Sequence, residues 1–255
     1  MESGEHGSNE EIRNKEEDDD DDDVCLDASF FVNENYQFQT FTFGTETIEV
    51  YCLQSSLTDY DLTGQLVWPG AELLAEYLLH NQSLLRGASV LELGAGLGVT
   101  GLLCARYCEH VVLTDYHDTV LKVMQMNVDH QISTSALQSP NVEVQKLEWG
   151  CDDHMNSVLK KHDKGFDLII GADICYQESF LPSLMTTIRH LLRQERARSS
   201  AILGYVSRFT SMDVAVIREA SKLNLEVIEV PETRKKVAGG LYDAWIYEIS
   251  LGGAS

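Results

Sequence analysis

The stretch that decides the fold is Val90-Leu91-Glu92-Leu93-Gly94-Ala95-Gly96-Leu97-Gly98-Val99-Thr100-Gly101. It is an apolar run that meets an acidic residue, breaks into alternating glycines and becomes apolar again, a pattern typical of a strand, a tight turn and a helix. Glycine has no Cβ atom, so the alternating glycines permit positive φ angles and let a ligand approach the backbone closely. We therefore predict that this turn contacts a cofactor.

The spacing of the glycines narrows the class of cofactor. A dinucleotide-binding turn has the pattern G-x-G-x-x-G, and Val99 stands where its third glycine would be. No Gly-Lys-Ser/Thr follows, so a phosphate-binding P-loop is not predicted either. The carboxylate of Glu92, just before the glycines, would repel a phosphate but suits an ammonium or a sulfonium, and S-adenosylmethionine carries both. Taken alone, the glycines are also compatible with a purely structural turn.

Length, composition and charge bound the class of protein. The 255 residues, 44% of them hydrophobic, are enough for one α/β domain with a full core and short extensions. No apolar run approaches the roughly 18 to 20 residues of a membrane span, and the acidic N-terminus does not resemble a signal peptide. We expect a soluble protein that makes no membrane contact. We expect it in the cytoplasm, and an additional nuclear location stays open.

The formal net charge of −22 makes nucleic acid an unfavourable direct partner and favours proteins with basic surfaces. The six cysteines include no C-x-x-C pair and no histidines at zinc spacing, so we expect reduced thiols and no metal site. We expect a monomer.

The sequence predicts an N-terminal tail followed by one folded domain. Residues 1–27 are polar and include six consecutive aspartates from Asp18 to Asp23, so we expect a disordered acidic tail, either solvating or docking basic partners. Residues 28–255 are predicted to form the folded domain. It begins with a β-hairpin, because Phe38 to Phe43 alternates, Gly44-Thr45 supplies a turn and a second β-rich segment runs to Leu53.

The segments around the glycine turn extend the α/β pattern. Trp68 stands at the entrance of a predicted helix whose first residue is Pro69, where it could contact either the core or a ligand. The strand from Val111 ends at Asp115, 21 residues after Gly94, the distance at which a second parallel strand delivers an acid to the ribose hydroxyls of a cofactor. Asp115 could instead cap the following helix, although Asp118 could also serve as that cap.

The rest of the chain continues the alternation. Strands are predicted at 141–147, 166–172 and 201–206, with amphipathic helices after the second and third of them. The segments 225–230 and 242–251 are two further strands without a helix between them, which requires an antiparallel last strand. Asp173 and Tyr176 follow the buried strand that ends at Ala172, on the edge of the sheet where ligands of doubly wound folds lie.

This order of elements, with Glu92-x-Gly94-x-Gly96-x-Gly98 and Asp115, resembles the seven-β-strand methyltransferases that use S-adenosylmethionine. Within them the chain resembles the methyltransferase-like family 16 of protein-lysine methyltransferases, whose Asp/Glu-x-x-Tyr/Phe signature falls at Asp173-x-x-Tyr176. The resemblance covers roughly residues 36 to 251 and rests further on Val67-Trp68-Pro69, Leu147-Glu148-Trp149 and Ala172.

The resemblance implies an α/β, Rossmann-like seven-stranded methyltransferase sheet with an antiparallel last strand, preceded here by the N-terminal β-hairpin. It implies that S-adenosylmethionine is the cofactor and that Asp173 and Tyr176 lie at the acceptor side. Glu92, at the end of its strand, could receive the cofactor's ammonium or a ribose contact. The other cofactor contacts implied by the resemblance are Trp68, Gly94, Ala95, Gly96, Asp115, Trp149 and Ala172.

The leading hypothesis is an enzyme that methylates a lysine side chain of a protein. A second hypothesis keeps the cofactor and changes the acceptor to arginine, histidine or a small molecule, because one fold serves all of these chemistries. A third is a cofactor-binding, chaperone-like interaction module that grips a basic partner. The sequence identifies neither the substrate nor the number of methyl groups added.

Overall fold

The computed structural model describes residues 36–53, 64–134, 141–192 and 199–253. The proposed acidic tail, residues 1–27, lies outside these ranges. Within them, no helix combines the length and the apolar character that crossing a membrane requires. The five cysteines in these ranges, Cys52, Cys104, Cys108, Cys151 and Cys175, are all free thiols.

The central sheet has the predicted α/β architecture. Its strands are β3 (Ser89–Glu92), β4 (His110–Asp115), β5 (Val142–Lys146), β6 (Leu168–Ala172), β7 (Ser200–Ser207), β8 (Leu225–Glu229), β9 (Lys235–Val237) and β10 (Tyr242–Leu251). Seven of them follow the order β5-β4-β3-β6-β7-β10-β8, and the three-residue β9 adds an eighth strand by pairing with β10. The pairs among β3 to β7 are parallel, whereas β10 is antiparallel to β7, β8 and β9, which confirms the predicted antiparallel last strand.

In the described part of the chain, six α-helices accompany these strands: α1 (Pro69–His80), α2 (Val99–Cys104), α3 (Asp118–Ser133), α4 (Asp152–Lys161), α5 (Leu181–Leu191) and α6 (Thr210–Lys222). The sequence pattern did not predict α4. Only Met155 and Val158 are buried in this helix, so its apolar periodicity is too sparse to stand out.

The core lies on both faces of the sheet. Successive residues of one strand alternate between two apolar clusters: Val90 of β3 belongs to one cluster and Leu91 to the other. Val111 and Val112 of β4 divide in the same way. Strands covered on both faces must be apolar throughout, which explains the unbroken hydrophobic runs in the sequence.

The predicted N-terminal hairpin is present, with β1 (Tyr36–Phe43) antiparallel to β2 (Glu46–Leu53). Helix α3 holds this hairpin through a buried side-chain amide. Asn127 Oδ1 accepts a 2.7 Å hydrogen bond from the Tyr51 backbone N–H, and Asn127 Nδ2 donates to the carbonyls of Tyr51 and Leu97. Such a bond is worth about 1 kcal/mol, and losing the buried partner costs more.

Candidate active site

The glycine turn has the backbone that its sequence predicts. It joins β3 to α2, and Gly94, Gly96 and Gly98 have φ angles of 59°, 54° and 80°, where a side chain is strained. Space is restricted as well. A Cβ atom on Gly94 would lie 2.9 Å from Ile174 Cγ2, and one on Gly96 would lie 2.7 Å from the carbonyl oxygen of Gly64.

Asp115 ends β4 directly beside this turn. Its Oδ2 accepts a 3.2 Å hydrogen bond from the Gly96 N–H, and its Oδ1 accepts from the N–H groups of Tyr116 (2.8 Å) and His117 (3.3 Å). Burial raises the pKa of this carboxyl, while these three amides oppose the increase. Neither acid that the sequence offered as a cap for α3 has that role: His117 Nδ1 accepts from the Thr119 N–H at 3.2 Å.

Glu92 is buried between the turn and α2. Its Oε2 accepts a 2.9 Å hydrogen bond from the Gly101 N–H in the first turn of α2, and Thr114 Oγ1 donates to its backbone carbonyl. Desolvation of the carboxyl raises the pKa of Glu92 to about 8. At neutral pH the side chain is therefore mostly protonated in the absence of a neighbouring cation.

The predicted site residues line two cavities that share Gly64, Trp68, Gly94 and Ala172. The smaller cavity, about 60 Å³, is lined by the glycine turn, Trp68 and Glu92. The larger, about 710 Å³, lies within the roughly 300–1,000 Å³ typical of small-molecule sites. Each proposed site residue lines at least one cavity: Trp68, Glu92, Gly94, Ala95, Gly96, Asp115, Trp149, Ala172, Asp173 and Tyr176.

Asp173 lies at the wall of the larger cavity in a constrained turn after β6. It has a φ of +59°, a left-handed backbone that aspartate tolerates better than most non-glycine residues, and it is 8% exposed. Its N–H donates to the Gly204 carbonyl at 2.8 Å, and its Oδ2 accepts from the Gly70 N–H at 3.3 Å. A Cβ atom on Gly70 would lie 2.7 Å from the Asp173 nitrogen, so only glycine lets α1 begin this close.

Arg208 is the site residue that sequence reasoning missed. It forms a two-pronged ion pair with Asp173, in which Nη1 donates to Oδ1 and Nη2 donates to Oδ2 at 2.9 Å. Its guanidinium carbon also lies 5.6 Å from the centre of the Trp68 ring and 5.7 Å from that of Tyr242. Its position in the sequence could have marked it as a candidate, because Arg208 directly follows the carboxyl end of β7, and ligands of doubly wound sheets bind at the carboxyl ends of the strands.

Aromatic side chains form the outer part of the larger cavity. Tyr176 is 39% exposed, and its ring packs edge-on against Phe180 with the ring centres 5.8 Å apart. Phe180 and Tyr116 also line the cavity and are partly open to solvent. Trp149 also lines the larger cavity and presents an apolar surface close to Gly94.

Comparison with known proteins identifies relatives of this chain. The family profile described as lysine methyltransferase matches residues 53–223, more than half of the chain. The chain is 28% identical over 180 residues to the protein N-terminal and lysine N-methyltransferase EFM7 of Gibberella zeae, covering 66% of this chain and 68% of that protein. It is 35% identical over 130 residues to the protein N-lysine methyltransferase METTL21A of Xenopus tropicalis, covering 51% of this chain and 56% of that protein.

A third relative is the protein-lysine methyltransferase METTL21E of Bos taurus, 29% identical over 188 residues, with 70% of this chain and 63% of that protein covered. The alignments thus span about half to two thirds of these relatives' own length. Among solved structures, the 16S rRNA N2 G1207 methyltransferase RsmC of T. thermophilus, in complex with AdoMet and guanosine, has a similar fold. Its TM-score is 0.53 at 17% identity, with 84% of this chain and 50% of that chain covered.

Proposed function

The chain belongs to the lysine methyltransferase family, and from that membership we propose that it transfers a methyl group from S-adenosylmethionine to the side-chain nitrogen of a lysine in a protein substrate. The observation that carries the proposal is the larger cavity. Its lining includes Gly94 of the glycine turn and Asp115, and also Asp173, Tyr176 and Arg208. A single space is thus bounded by groups suited to a nucleoside and by groups suited to an amine.

The residues present fit S-adenosylmethionine. Asp115 has three amide donors for roughly four lone-pair positions, so its carboxylate can still accept from a ribose hydroxyl. Trp149 offers a face for the adenine ring, and Trp68 and Glu92 line the smaller cavity, where a positively charged methionine end would be stabilised. When bound, the cofactor supplies a methyl group activated by the positive charge on its sulfur.

The acceptor nitrogen must arrive as a neutral amine, because only a free lone pair could attack the methyl carbon and displace the thioether of the cofactor. Alignment of the two reactants then contributes most of the catalysis, an effect of about 7 to 11 kcal/mol in well-positioned reactions. We assign Asp173 and Tyr176 to this alignment. Tyr176 would form one wall of the lysine channel, and its hydroxyl would make one hydrogen bond with the amine.

The surroundings of Asp173 define what its carboxylate can do. Oδ2 already accepts from Arg208 and Gly70, while among the described residues Oδ1 accepts only from Arg208. With roughly two lone-pair positions on each oxygen, one position remains on Oδ1. Asp173 can therefore accept one hydrogen bond from an amine while its charge is balanced by Arg208.

Arg208 is a positioning residue in this proposal. It holds the Asp173 carboxylate in a fixed orientation, and the hydrogen bonds that it donates to Asp173 raise the pKa of the guanidinium, which stays charged. A positive charge beside the acceptor site disfavours the ammonium form of an incoming lysine and so favours the neutral nucleophile.

The proposal extends to partners and location. A net charge of −22 supports a protein substrate with a basic surface over direct contact with nucleic acid. We further propose that the protein acts as a monomer and is cytoplasmic, with nuclear activity left open.

The test is to incubate the protein with labelled S-adenosylmethionine and an extract of cells that lack it, and then to identify the labelled residue by mass spectrometry. A reaction with Asp115→Ala is the matched control. Label on a lysine side chain that depends on Asp115 supports the proposal. Label on arginine, histidine or a small molecule would replace the acceptor. Cofactor binding in calorimetry without any labelled product would favour the chaperone-like interaction module.

A further inference from the structure

We propose that His110, Glu143 and His162 form a binding site for a divalent transition metal, with Zn²⁺ as the best fit. The three residues meet at the amino-terminal ends of β4 and β5, whereas the candidate active site lies at the carboxyl ends of the strands. His110 begins β4, Glu143 lies at the start of β5 and His162 follows α4. Asp115 ends the same strand that His110 begins, five residues and roughly 16 Å further along.

Geometry supports the site first. One ligand atom from each residue lies within 4.8 Å of the other two. Ligands of a tetrahedral Zn²⁺ ion, with bonds of about 2.0 to 2.2 Å, are roughly 3.3 Å apart, so side-chain rotations could close the set. Glu143 Oε2 is 3.6 Å from His162 Nε2, already close to that spacing.

The second, independent observation concerns the imidazoles. Within the ranges that the structure describes, the Nε2 atoms of both His110 and His162 are buried and have no hydrogen-bond partner. The two rings are tilted by 31° with their centres 5.0 Å apart, and Phe166 packs against His162. Buried polar atoms are normally satisfied, and a metal ion would occupy the lone pairs of both nitrogens at once.

The ligand set selects the class of ion. Two imidazoles and one carboxylate suit Zn²⁺ and its transition-metal neighbours, whereas Ca²⁺ and Mg²⁺ require mostly oxygen ligands. Glu143 is partly open to solvent, with 21% of its side chain exposed, so a water could complete the coordination. Because the ligands come from three distant points of the chain, no metal-ligand spacing is visible in the sequence.

Lys161 limits the affinity. Its Nζ is ion-paired with Glu143 Oε1, to which Gln145 also donates, so Oε2 is the oxygen that faces the histidines. The lysine charge would repel a cation, but its side chain is 60% exposed and can swing into solvent. We therefore expect micromolar rather than structural-zinc affinity, and tighter binding when this charge is removed.

The experiment uses the full chain, free of any affinity tag and treated with a chelator. Zn²⁺ is titrated by calorimetry, Co²⁺ by visible absorption, and thermal unfolding is followed with and without Zn²⁺. We expect one Zn²⁺ per chain, a tetrahedral Co²⁺ spectrum and a rise in Tm of about 5 °C or more at a hundredfold excess over Kd.

Variants locate the ion. His110→Gln and His162→Gln should weaken Zn²⁺ binding by about tenfold or more and abolish the Co²⁺ spectrum, whereas the exposed His80→Gln and His190→Gln should match the parent protein. Lys161→Gln should bind more tightly. Circular dichroism confirms that each variant is folded.

Unchanged affinity in both ligand variants would overturn the site and assign the metal to the cysteines or to other acidic residues. The absence of binding at millimolar Zn²⁺ would overturn it as well. If Lys161→Gln binds no more tightly than the parent, Glu143 Oε2 is not the third ligand and the proposed set is wrong.

Discussion

The pairing of Arg208 with Asp173 makes a prediction about pH. Replacing Arg208 with Gln removes the positive charge and leaves Asp173 as a free carboxylate on the acceptor side. An unbalanced carboxylate stabilises the ammonium form of the substrate lysine, which cannot attack the methyl group. Arg208→Gln should therefore reduce methylation at neutral pH and recover much of the lost rate at higher pH.

The size of the shift follows from distance. Arg208 Nη2 lies 2.9 Å from Asp173 Oδ2, and a further hydrogen bond of about 3 Å would put the amine roughly 6 Å from the guanidinium. At an effective dielectric constant near 20, two unit charges at that separation interact by roughly 3 kcal/mol. Each pKa unit corresponds to about 1.4 kcal/mol, so the acidic limb of the pH–rate profile should move upward by up to about two units.

The assay measures kcat and KM between pH 6 and 10 for the substrate found by the labelling experiment, together with cofactor affinity by calorimetry. Arg208→Lys retains the charge and should shift the profile less. Arg218→Gln is the matched control, because that arginine is half exposed and pairs with the exposed Glu178 and the buried Glu219, neither of which lines the cavity. Removing one partner of a buried pair can cost about 3 to 5 kcal/mol, so the stability of each variant must be measured by denaturation.

Asp173→Asn separates the hydrogen-bonding role of Asp173 from the charge-balancing role of Arg208. It removes the carboxylate charge and replaces one acceptor oxygen with an NH2 donor, so its rate should fall by about tenfold to a hundredfold without recovery at higher pH, with cofactor affinity nearly unchanged. Tyr176→Phe should have a smaller effect. If Arg208→Gln loses the same factor at every pH, or loses nothing while remaining folded, the charge-balancing role of Arg208 is refuted.

Three further predictions concern the cofactor side. Asp115→Ala should weaken S-adenosylmethionine binding about tenfold or more, because a buried hydroxyl without its acceptor costs about 1 to 3 kcal/mol; wild-type affinity in calorimetry would reject the ribose assignment. Gly96→Val should abolish cofactor binding, while Gly87→Val, at a similar φ but with nothing within 4 Å of its Cβ position, should retain it; equal affinities would exclude a special role for the turn. Glu92, with a folded pKa of about 8 against an ordinary 4.5, keeps a proton that the unfolded chain releases, so stability should fall by up to ~1.4 kcal/mol per pH unit between those values; urea unfolding of Glu92→Gln at several pH values should lack this slope.

Much of the fold follows from local pattern. Parallel strands covered on both faces require continuous apolar runs, so β3, β4, β6 and β7 stand out in the sequence. The antiparallel β10 follows from two consecutive strands without a helix between them. Helix α4 was missed because it buries little, and β9 because three residues at an edge carry no periodicity.

The position of a candidate site residue was predictable where it follows from the residue's distance to a motif. Asp115 ends β4, the strand that pairs with β3 beside the glycine turn, so the number of residues between Gly94 and Asp115 predicts where Asp115 lies. Arg208 has no such relation to Asp173, because the two are 35 residues apart and meet only when β6 and β7 pair. The close approach of Gly70 to Asp173 likewise depends on tertiary packing that no short pattern encodes.

The carboxylates of the site show why these tertiary contacts matter for the chemistry. In a chain with a net charge of −22, several ionised carboxylates around an amine would stabilise its ammonium form and so prevent attack on the methyl group. Burial raises the pKa of Glu92 to about 8, and Arg208 balances the charge of Asp173. The fold thus keeps acids that can accept hydrogen bonds while reducing the negative potential at the reacting nitrogen. Under the proposed function, this arrangement would let an acidic protein present a neutral lysine to the methyl group.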